Sequence, residues 1–483
     1  MRTSGSLSSG QAIAGAKAAT VEEILLASHS DVANPSQPDP NTSIDITRIV
    51  GDVEIVESLN SPGLVLNVPL LDTTGLFELN GLGANDYLYV RFKKDIGNNE
   101  IVTRQQWFYV SSIGHYGKDK PDSLALEFVA TTINTFLLTQ KCPKGVYLGS
   151  ILEIVEQLLK ELFANVPVRP KIMLPDRLEG ERVFKFVSNG KSYYNVINDL
   201  LERLDVPHFL FETFGEDEPV LVVGPYNSFD RGKVYTEGFY YDYLDAYSQE
   251  ARTQQSKRIL SIASDFNLNV TESLVKGAFS SSASEVDIAQ KTYRSRDYHI
   301  FNDRPVKLGG SKYFVDNSFN ILGLGLTDLK KGLLHSHRNT LLHADTKEGL
   351  AEFGLNHNRI ETGPLSNASR ILMQNSCSHD IAIFGDSSLS VGEVIRLELG
   401  SLIDNQSLDK YMSGEYVITS LRHVFENNEM KTYFRCVRSA AERNRATQES
   451  KWDGADPGIV KGLSAGSEDE MKAGMLNVEF DDE

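Results

Sequence analysis

The sequence predicts a mainly β fold with an α+β insertion: two similar antiparallel β-barrel domains, a small helical domain between them, and extended terminal arms. Three observations carry this. Short β-type runs separated by turn signals fill the regions from about 44 to 142 and from about 370 to 445, whereas amphipathic helical stripes fall in the block between. A line of sequence is also written twice, "YVSSIGH" at 109–115 and "YVITSLRH" at 416–423. At 483 residues the chain has room for about three domains at roughly 150 residues each.

Residues 1–43 are rich in Ser, Ala, Gly and Pro and read as an extended arm, with "VEEILLA" (21–27) as a possible helix of two turns. From Ile44 to 142 the runs "VEIVESL", "GLVLNVPLLD", "DYLYVRF", "WFYVSSIGH" and "SLALEFVA" read as the strands of a first barrel. Leu88, Val90 and Phe92 alternate with Tyr87, Tyr89 and Arg91, the period of two that a half-buried strand requires. Residues 143–250 read as the α+β domain. Ile151, Ile154, Val155, Leu158, Leu159 and Leu162 recur at helical spacing, as do Tyr193, Val196, Ile197, Leu200, Leu201 and Leu204, with Pro207 as the stop. "HFLFETFGEDEPVLVVGP" then reads as two strands around an acidic, Gly-containing turn.

Residues 251–445 read as a second barrel with an inserted irregular and helical segment. A strand is expected in "RILSIASDFNLNVTES" (258–273) and a helix near 340–355, and strands resume in "RILMQNS", "DIAIFGD", "GEVIRLELG", "GEYVITSLRHVF" and "KTYFRCVR". Tyr, Val, Ser and His are common in strands, so the repeated line alone proves little. Its surroundings repeat as well. A lead-in with Gly and an acid, an outward strand, an excursion, a Tyr-Val strand, a turn and a closing strand occur in the same order about 307 positions apart.

The formal net charge of -18 argues against a surface that grips nucleic acid, because phosphate affinity comes largely from Lys and Arg. From charge alone, simple solubility is the first reading of such acidity, and a wall that lets DNA slide past without settling is the second. Much of the charge is tail: residues 446–483 carry ten acids against three lysines and read as an extended acidic segment. Three widely spaced cysteines, Cys142, Cys377 and Cys436, suit small buried residues in a reducing compartment better than a disulfide framework. Apolar runs such as "VLVV" (220–223) fall far short of the ~18 residues that cross a bilayer, and the N-terminus lacks a signal pattern. No stable membrane binding is expected.

Three stretches resemble the baseplate hub protein of contractile-tailed bacteriophages, a family related to the hub half of the type VI secretion spike protein. "HDIAIFGDSSLSVGEVIRLEL" resembles the family's lead-in to its last barrel, "SGEYVITSLRHVF" its late Tyr strand and His, and "FKFVSNGKSYYNVINDLLERLDVPHFLFE" the helix and strand pair of its middle domain. The likeness covers roughly 44–445, is weakest from 280 to 370, and lies in order and spacing. It implies a structural homotrimer in which two barrels per chain give a ring of pseudo-six-fold symmetry. Such a ring adapts a hexameric tail tube to a trimeric central spike and leaves a channel for DNA and the tape measure protein. Tail tube proteins, the spike and baseplate wedge or peripheral proteins are the implied partners, and the virion baseplate, assembled in the host cytoplasm, is the implied location. A hub of a non-viral contractile injection system and a peptidoglycan hydrolase carried on β-barrels are the alternatives.

Catalytic patterns were sought against this reading. His335, His337, His343 and His357 cluster, but no cysteine or close acidic pair completes a tetrahedral set at familiar spacing, Asp345 being the nearest carboxylate. "GLGLTDLKKG" (323–332) lacks the ending of a phosphate-binding loop and reads as a turn into a helix. Glu415 and Asp386 could be paired as glycosidase carboxylates only by free choice among 66 acids. His115 and His423 read as hydrogen-bonded strand residues. No catalytic, cofactor-binding or metal-ligating residue is assigned, no cofactor is expected, and the protein is not expected to be an enzyme.

Overall fold

The computed structural model describes residues 19–27, 43–77, 86–97, 100–120, 123–166, 169–175, 183–188, 190–204, 207–225, 229–237, 258–265, 280–287, 292–299, five short strands between 312 and 352, 377–400, 409, 412–426, 429–438 and 440–441. Two units divide the chain, Met1–Ala441 and Glu442–Glu483, and the second lies outside the described residues. So do the expected strand "RILMQNS" and His335, His337 and His357.

The first β region comprises β1 (Ala19–Ala27), β2 (Ile44–Asp45), β3 (Val53–Ser58), β4 (Val65–Asp72), β5 (Tyr87–Gly97), β6 (Glu100–Lys120) and β7 (Ser123–Thr132), ordered β2-β1-β5-β6-β7-β4-β3. One stretch joins its two sides. Ile46 N–H donates to Ile24 of β1 (3.0 Å), while Gly51 N–H donates to Pro69 and Ile49 accepts from Leu71, both on β4 (2.8 and 2.9 Å). Leu66, Val68, Leu88, Val90, Phe92, Phe108 and Phe128 form the apolar interior, and burying each such side chain contributes ~1.5–3 kcal/mol.

The helix expected at 21–27 is instead part of β1, a correction with a tertiary cause. Glu, Leu and Ala favour helix locally, but β5 offers an open edge, and as a strand the segment sends Ile24 and Leu26 into the core. Arg91 pairs with Glu22 and Glu23 across the strands (2.9 and 3.2 Å). This part of the expected arm thus belongs to the sheet.

Next come α1 (Ile133–Gln140), β8 (Val146–Gly149), α2 (Ile151–Phe163), β9 (Lys171–Met173), β10 (Phe184–Val187), α3 (Tyr193–Leu201), β11 (His208–Thr213) and β12 (Val220–Pro225). Both amphipathic stripes form helices that pack together over one core. A reciprocal capping box starts α2: Glu153 N–H donates to Ser150 Oγ (3.3 Å), and Ser150 N–H donates to the Glu153 carboxylate (2.9 Å). Helix α3 ends at Leu201, before the expected stop at Pro207. Strands β11 and β12 form the expected hairpin.

The second β region begins earlier than expected, because β13 (Phe229–Glu237) pairs with its strands rather than with the middle domain. It continues with β14 (Arg258–Asp265). The inserted segment holds β15 (Ser280–Asp287), β16 (Thr292–His299) and the short strands β17 (Lys312–Tyr313), β18 (Asn320–Ile321), β19 (Leu324–Gly325), β20 (Asn339–His343) and β21 (Leu350–Glu352). The helix expected near 340–355 is therefore corrected to two strands, β20 pairing with β15 and β21 with β10. Distant partners override local helical preference there. "GLGLTDLKKG" begins in β19, paired with β18. Finally come β22 (Cys377–Phe384), β23 (Glu393–Glu398), β24 (Gly414–Glu426), β25 (Glu429–Arg438) and β26 (Ala440–Ala441). Their pairings run β24–β23–β13–β14–β22–β25 and return from β25 to β24.

The repeated line marks a repeated frame. Strands β3-β4-β5-β6-β7 correspond in chain order and pairing to β14-β22-β23-β24-β25. In each Tyr-Val strand a bulge interrupts the register with the closing strand, between Val110 and Ser112 in β6 and between Ile418 and Ser420 in β24. The bulged residues behave alike: Ser111 Oγ donates to Val129 O (2.8 Å) and Thr419 Oγ1 to Arg435 O (3.3 Å). Matching the bulges aligns Ser111 with Thr419 and His115 with His423, and sets Tyr109 against Val417 rather than Tyr416.

Candidate functional site

The bulge in β24 builds the joint between the two β regions. Before it, Val417 pairs with Val394 of β23; after it, Ser420 to Phe425 pair antiparallel with Ser58 to Val53 of β3. A bulge bends a strand and raises its twist, which turns this edge away from β23 and toward β3.

Into this seam the middle domain inserts the acidic turn that follows β11. Phe214 is fully buried between Phe92 and Phe425 (ring centroids 5.1 and 6.3 Å), with His423 at 5.4 Å. Two cations lie over its ring, Lys94 Nζ at 5.1 Å and Arg104 at 4.8 Å from the centroid. Lys94 donates to the carbonyls of Phe214, Gly215 and Glu216 (3.0, 3.2 and 3.0 Å), and Arg104 to those of Thr213, Phe214 and Glu216. Glu57 of β3 accepts from the N–H of Phe214 (2.6 Å) and Val391 (3.3 Å), joining the turn to both β regions. Glu212 accepts from Gln106 Nε2 (2.8 Å) and Thr132 Oγ1 (2.7 Å). A Cβ on Gly215 would meet Ser390 Oγ at 2.1 Å and Leu389 O at 2.6 Å, so only glycine lets the turn come this close.

Burial sets the electrostatics. It pushes Glu57 up to about 7 despite its two backbone donors, and it raises Glu212 against the pull of Thr132 and Arg104. Lys94 is drawn down to about 7 by burial and then by Arg104, although three carbonyl acceptors suit its charged form. Arg104 falls to about 10 for the same first reason and keeps its charge at neutral pH. These groups spend their hydrogen bonds on protein partners, so the chemistry supported is fastening.

The candidates from the sequence fall elsewhere. His423 is buried with Nδ1 on Thr432 Oγ1 (3.0 Å), as read, and burial holds it down to about 3 and neutral. For His115 and His343 only the backbone is described. Asp386 is a buried acceptor for Tyr235 OH (3.0 Å) and the Ser388 hydroxyl (2.6 Å), while Glu415 is exposed on β24. Cys377 and Cys436 are buried as expected, but Cys142 is exposed, a correction that follows from its place in the loop after α1. Among the described residues no cluster of His, Cys, Asp and Glu could hold a metal, and no helix is long and apolar enough to cross a membrane.

The joint itself was missed, although a signal existed. Lys94 continues the inward phase of Leu88, Val90 and Phe92, and Arg104 and Gln106 share the phase of Phe108. A charge in phase with an apolar face points into something that must pair with it.

No protein-family model matches the chain, and no curated protein matches it by sequence. Its fold is similar to phage tail and type VI secretion proteins. A tail protein from Neisseria meningitidis MC58 aligns at 11% identity and TM-score 0.46, over 87% of this chain and 96% of that one. The 43 kDa tail protein of prophage MuSo2 from Shewanella oneidensis aligns at 9% and 0.48, over 86% and 99%. An Escherichia coli component of the type VI secretion system aligns at 8% and 0.39, over 82% and 76%. Identities and TM-scores this low leave function to be read from this chain's own residues.

Proposed function

We propose that this chain is the structural hub of a contractile tail baseplate, a homotrimer whose two β-barrels per chain form a ring of six near-equivalent units. The observation that carries the reading is the duplicated five-strand frame, with its bulge at the same place in both copies and one bulge already joining the two regions. Such a frame has a mechanical use. Six similar units in three chains let a trimeric spike meet a hexameric tube with a continuous hydrogen-bonded wall, and a closed ring leaves no exposed strand edge. The resemblance in the hub-like stretches supports the assignment, and the acidic balance suits a channel through which DNA and the tape measure protein pass. Tube and spike are the proposed partners above and below the ring, with peripheral baseplate proteins on the middle domain, and the barrel boundaries follow the two frames.

Light scattering on the purified chain tests this. Three copies per particle, with a central opening on imaging, are the expected result; a stable single copy in the presence of a trimeric spike protein would overturn it. Zymography on cell-wall substrate addresses the hydrolase alternative, with no clearing expected.

A further inference from the structure

The two copies of the frame differ in what covers their equivalent edges. In the first region β3 is covered: β24 pairs along Val53 to Ser58, and Val53 and Ile55 are buried. Its counterpart β14 is not. Strand β13 pairs only with Arg258 and Ile259, and from Leu260 onward that edge has no strand partner among the described residues. Leu260 is 44% exposed, and Ser261, Ala263, Ser264 and Asp265 are exposed as well. The counterpart of β24 is open in the complementary way. Strand β6 leaves β5 after Tyr109, and past its bulge the edge from Ser112 onward pairs only with β7 among the described residues. Among the described residues, therefore, one bulged strand has received its β3-type partner and the other has none.

We propose that β14 of one copy pairs antiparallel with β6 of the next copy, repeating between chains the joint that β3 and β24 make within the chain. The register follows from the frame. Val56 pairs with Arg422. Pairing within each sheet makes Asp265 the counterpart of Val56, through Val65 and Ser378, and the bulges make Gly114 the counterpart of Arg422. Asp265 of one copy thus lies opposite Gly114 of the next, and, past the second bulge between Gly114 and Gly117, Ala263 lies opposite Gly117. The contact is heterologous, since donor and acceptor edges differ, so it builds a ring when its rotation closes, as three-fold symmetry requires, and not a two-fold dimer. It occupies the open edges that would otherwise template aggregation. The pairing rests on the ring reading above and adds which strands close the ring.

Disulfide trapping in the full chain tests it, with exposed Cys142 changed to serine. Facing residues of an antiparallel pair have Cα atoms about 4.5 or 5.5 Å apart, both within disulfide reach. A Cβ at Gly114 meets nothing nearer than Glu127 Oε2 at 3.6 Å, so Gly114→Cys fits. Asp265→Cys with Gly114→Cys, or Ala263→Cys with Gly117→Cys, where a Cβ meets nothing within 4 Å, is expected on mild oxidation to give covalent species ending at three copies. Each single substitution, and the out-of-register pair Asp265→Cys with Ser112→Cys, is expected to give at least tenfold less. A particle of three copies by light scattering in which neither in-register pair links would overturn the pairing and leave the ring standing. Links confined within one chain would also overturn it. A single copy at the highest soluble concentration, with no link, would overturn the ring and the pairing together.

Discussion

The first and second β regions share a backbone and differ inside. Away from the seam charges Lys94 and Arg104, the first is filled by aliphatic and phenyl side chains, Leu66, Val90, Phe92 and Phe128 among them. At matching places the second carries polar groups: His379 Nε2 meets Tyr416 OH (2.9 Å), His379 Nδ1 meets Ser264 Oγ (2.8 Å), and Arg438 lies over the Tyr416 ring at 4.6 Å. Leu66 and His379 hold equivalent positions, each opposite the closing strand at Ala130 or Cys436. What the frame preserves is strand pairing and the bulge, because these set the edges that must meet neighbours; the interior has only to be filled and satisfied. Past Gly114, β6 bulges a second time against β7, which β24 does not do against β25.

Four measurements would break or sharpen this comparison, in falling order of effect. Replacing Arg104 with Ala removes one of the two cations on the carbonyls of the inserted turn, the one that serves Thr213 and stands beside the Gln106–Glu212 pair. A loss of about 3–5 kcal/mol is expected in denaturant unfolding, as for other broken buried charge clusters. A loss below about 1 kcal/mol would mean that the seam relaxes freely.

Acid is expected to destabilise both the seam and the second interior. His423 and His379 are held down by burial to about 3 and about 4 from the ordinary 6.5. The folded chain prefers them neutral, so their contribution is full above pH 6.5 and is lost as pH falls toward those values, on the order of a few kcal/mol each. Glu57, held up to about 7, works in the opposite sense between pH 7 and 4.5 and offsets part of the loss. His379→Gln is expected to flatten the slope below pH 6.5; an unchanged pH profile would show that His379 takes no part.

Gly215→Ala comes next, at about 1–3 kcal/mol, because its methyl group would overlap Ser390 and Leu389 of the second region. Selective loss of protection from proteolysis in the β11–β12 hairpin would place the damage at the seam. The smallest effect tests the repeat most directly. Ser111→Ala and Thr419→Val each remove one hydroxyl-to-carbonyl bond at an exposed bulge, and both are expected to cost less than about 1 kcal/mol and to agree within error. A large difference between them would mean that the two bulges hold different loads.

Legibility followed the range of the interactions. Helix α2 was readable because its stripe and its Ser150–Glu153 cap lie within one segment. Strand β5 was readable because alternation is local. By contrast β1, β20 and β21 read as helix or ambiguous sequence, since their strand state depends on partners far along the chain. Turn 214–219 was legible as a turn, but its insertion beside Lys94 and Arg104 was not.

By itself, then, the sequence determined the alternation of strands and helices, the duplication of the Tyr-Val strand, and the absence of a recognisable catalytic pattern, because periodicity and spacing act over a few residues. Only the tertiary structure decided that the repeat is a shared bulge offset by one residue from the lettered match. It alone also placed Glu57, Lys94, Arg104 and Glu212 together and left β14 and β6 with edges that no strand covers among the described residues. Those features depend on contacts between segments far apart in the chain, 366 residues for Val56 with Arg422 and 120 for Lys94 with Phe214, and closing such long loops leaves no local trace in composition or period.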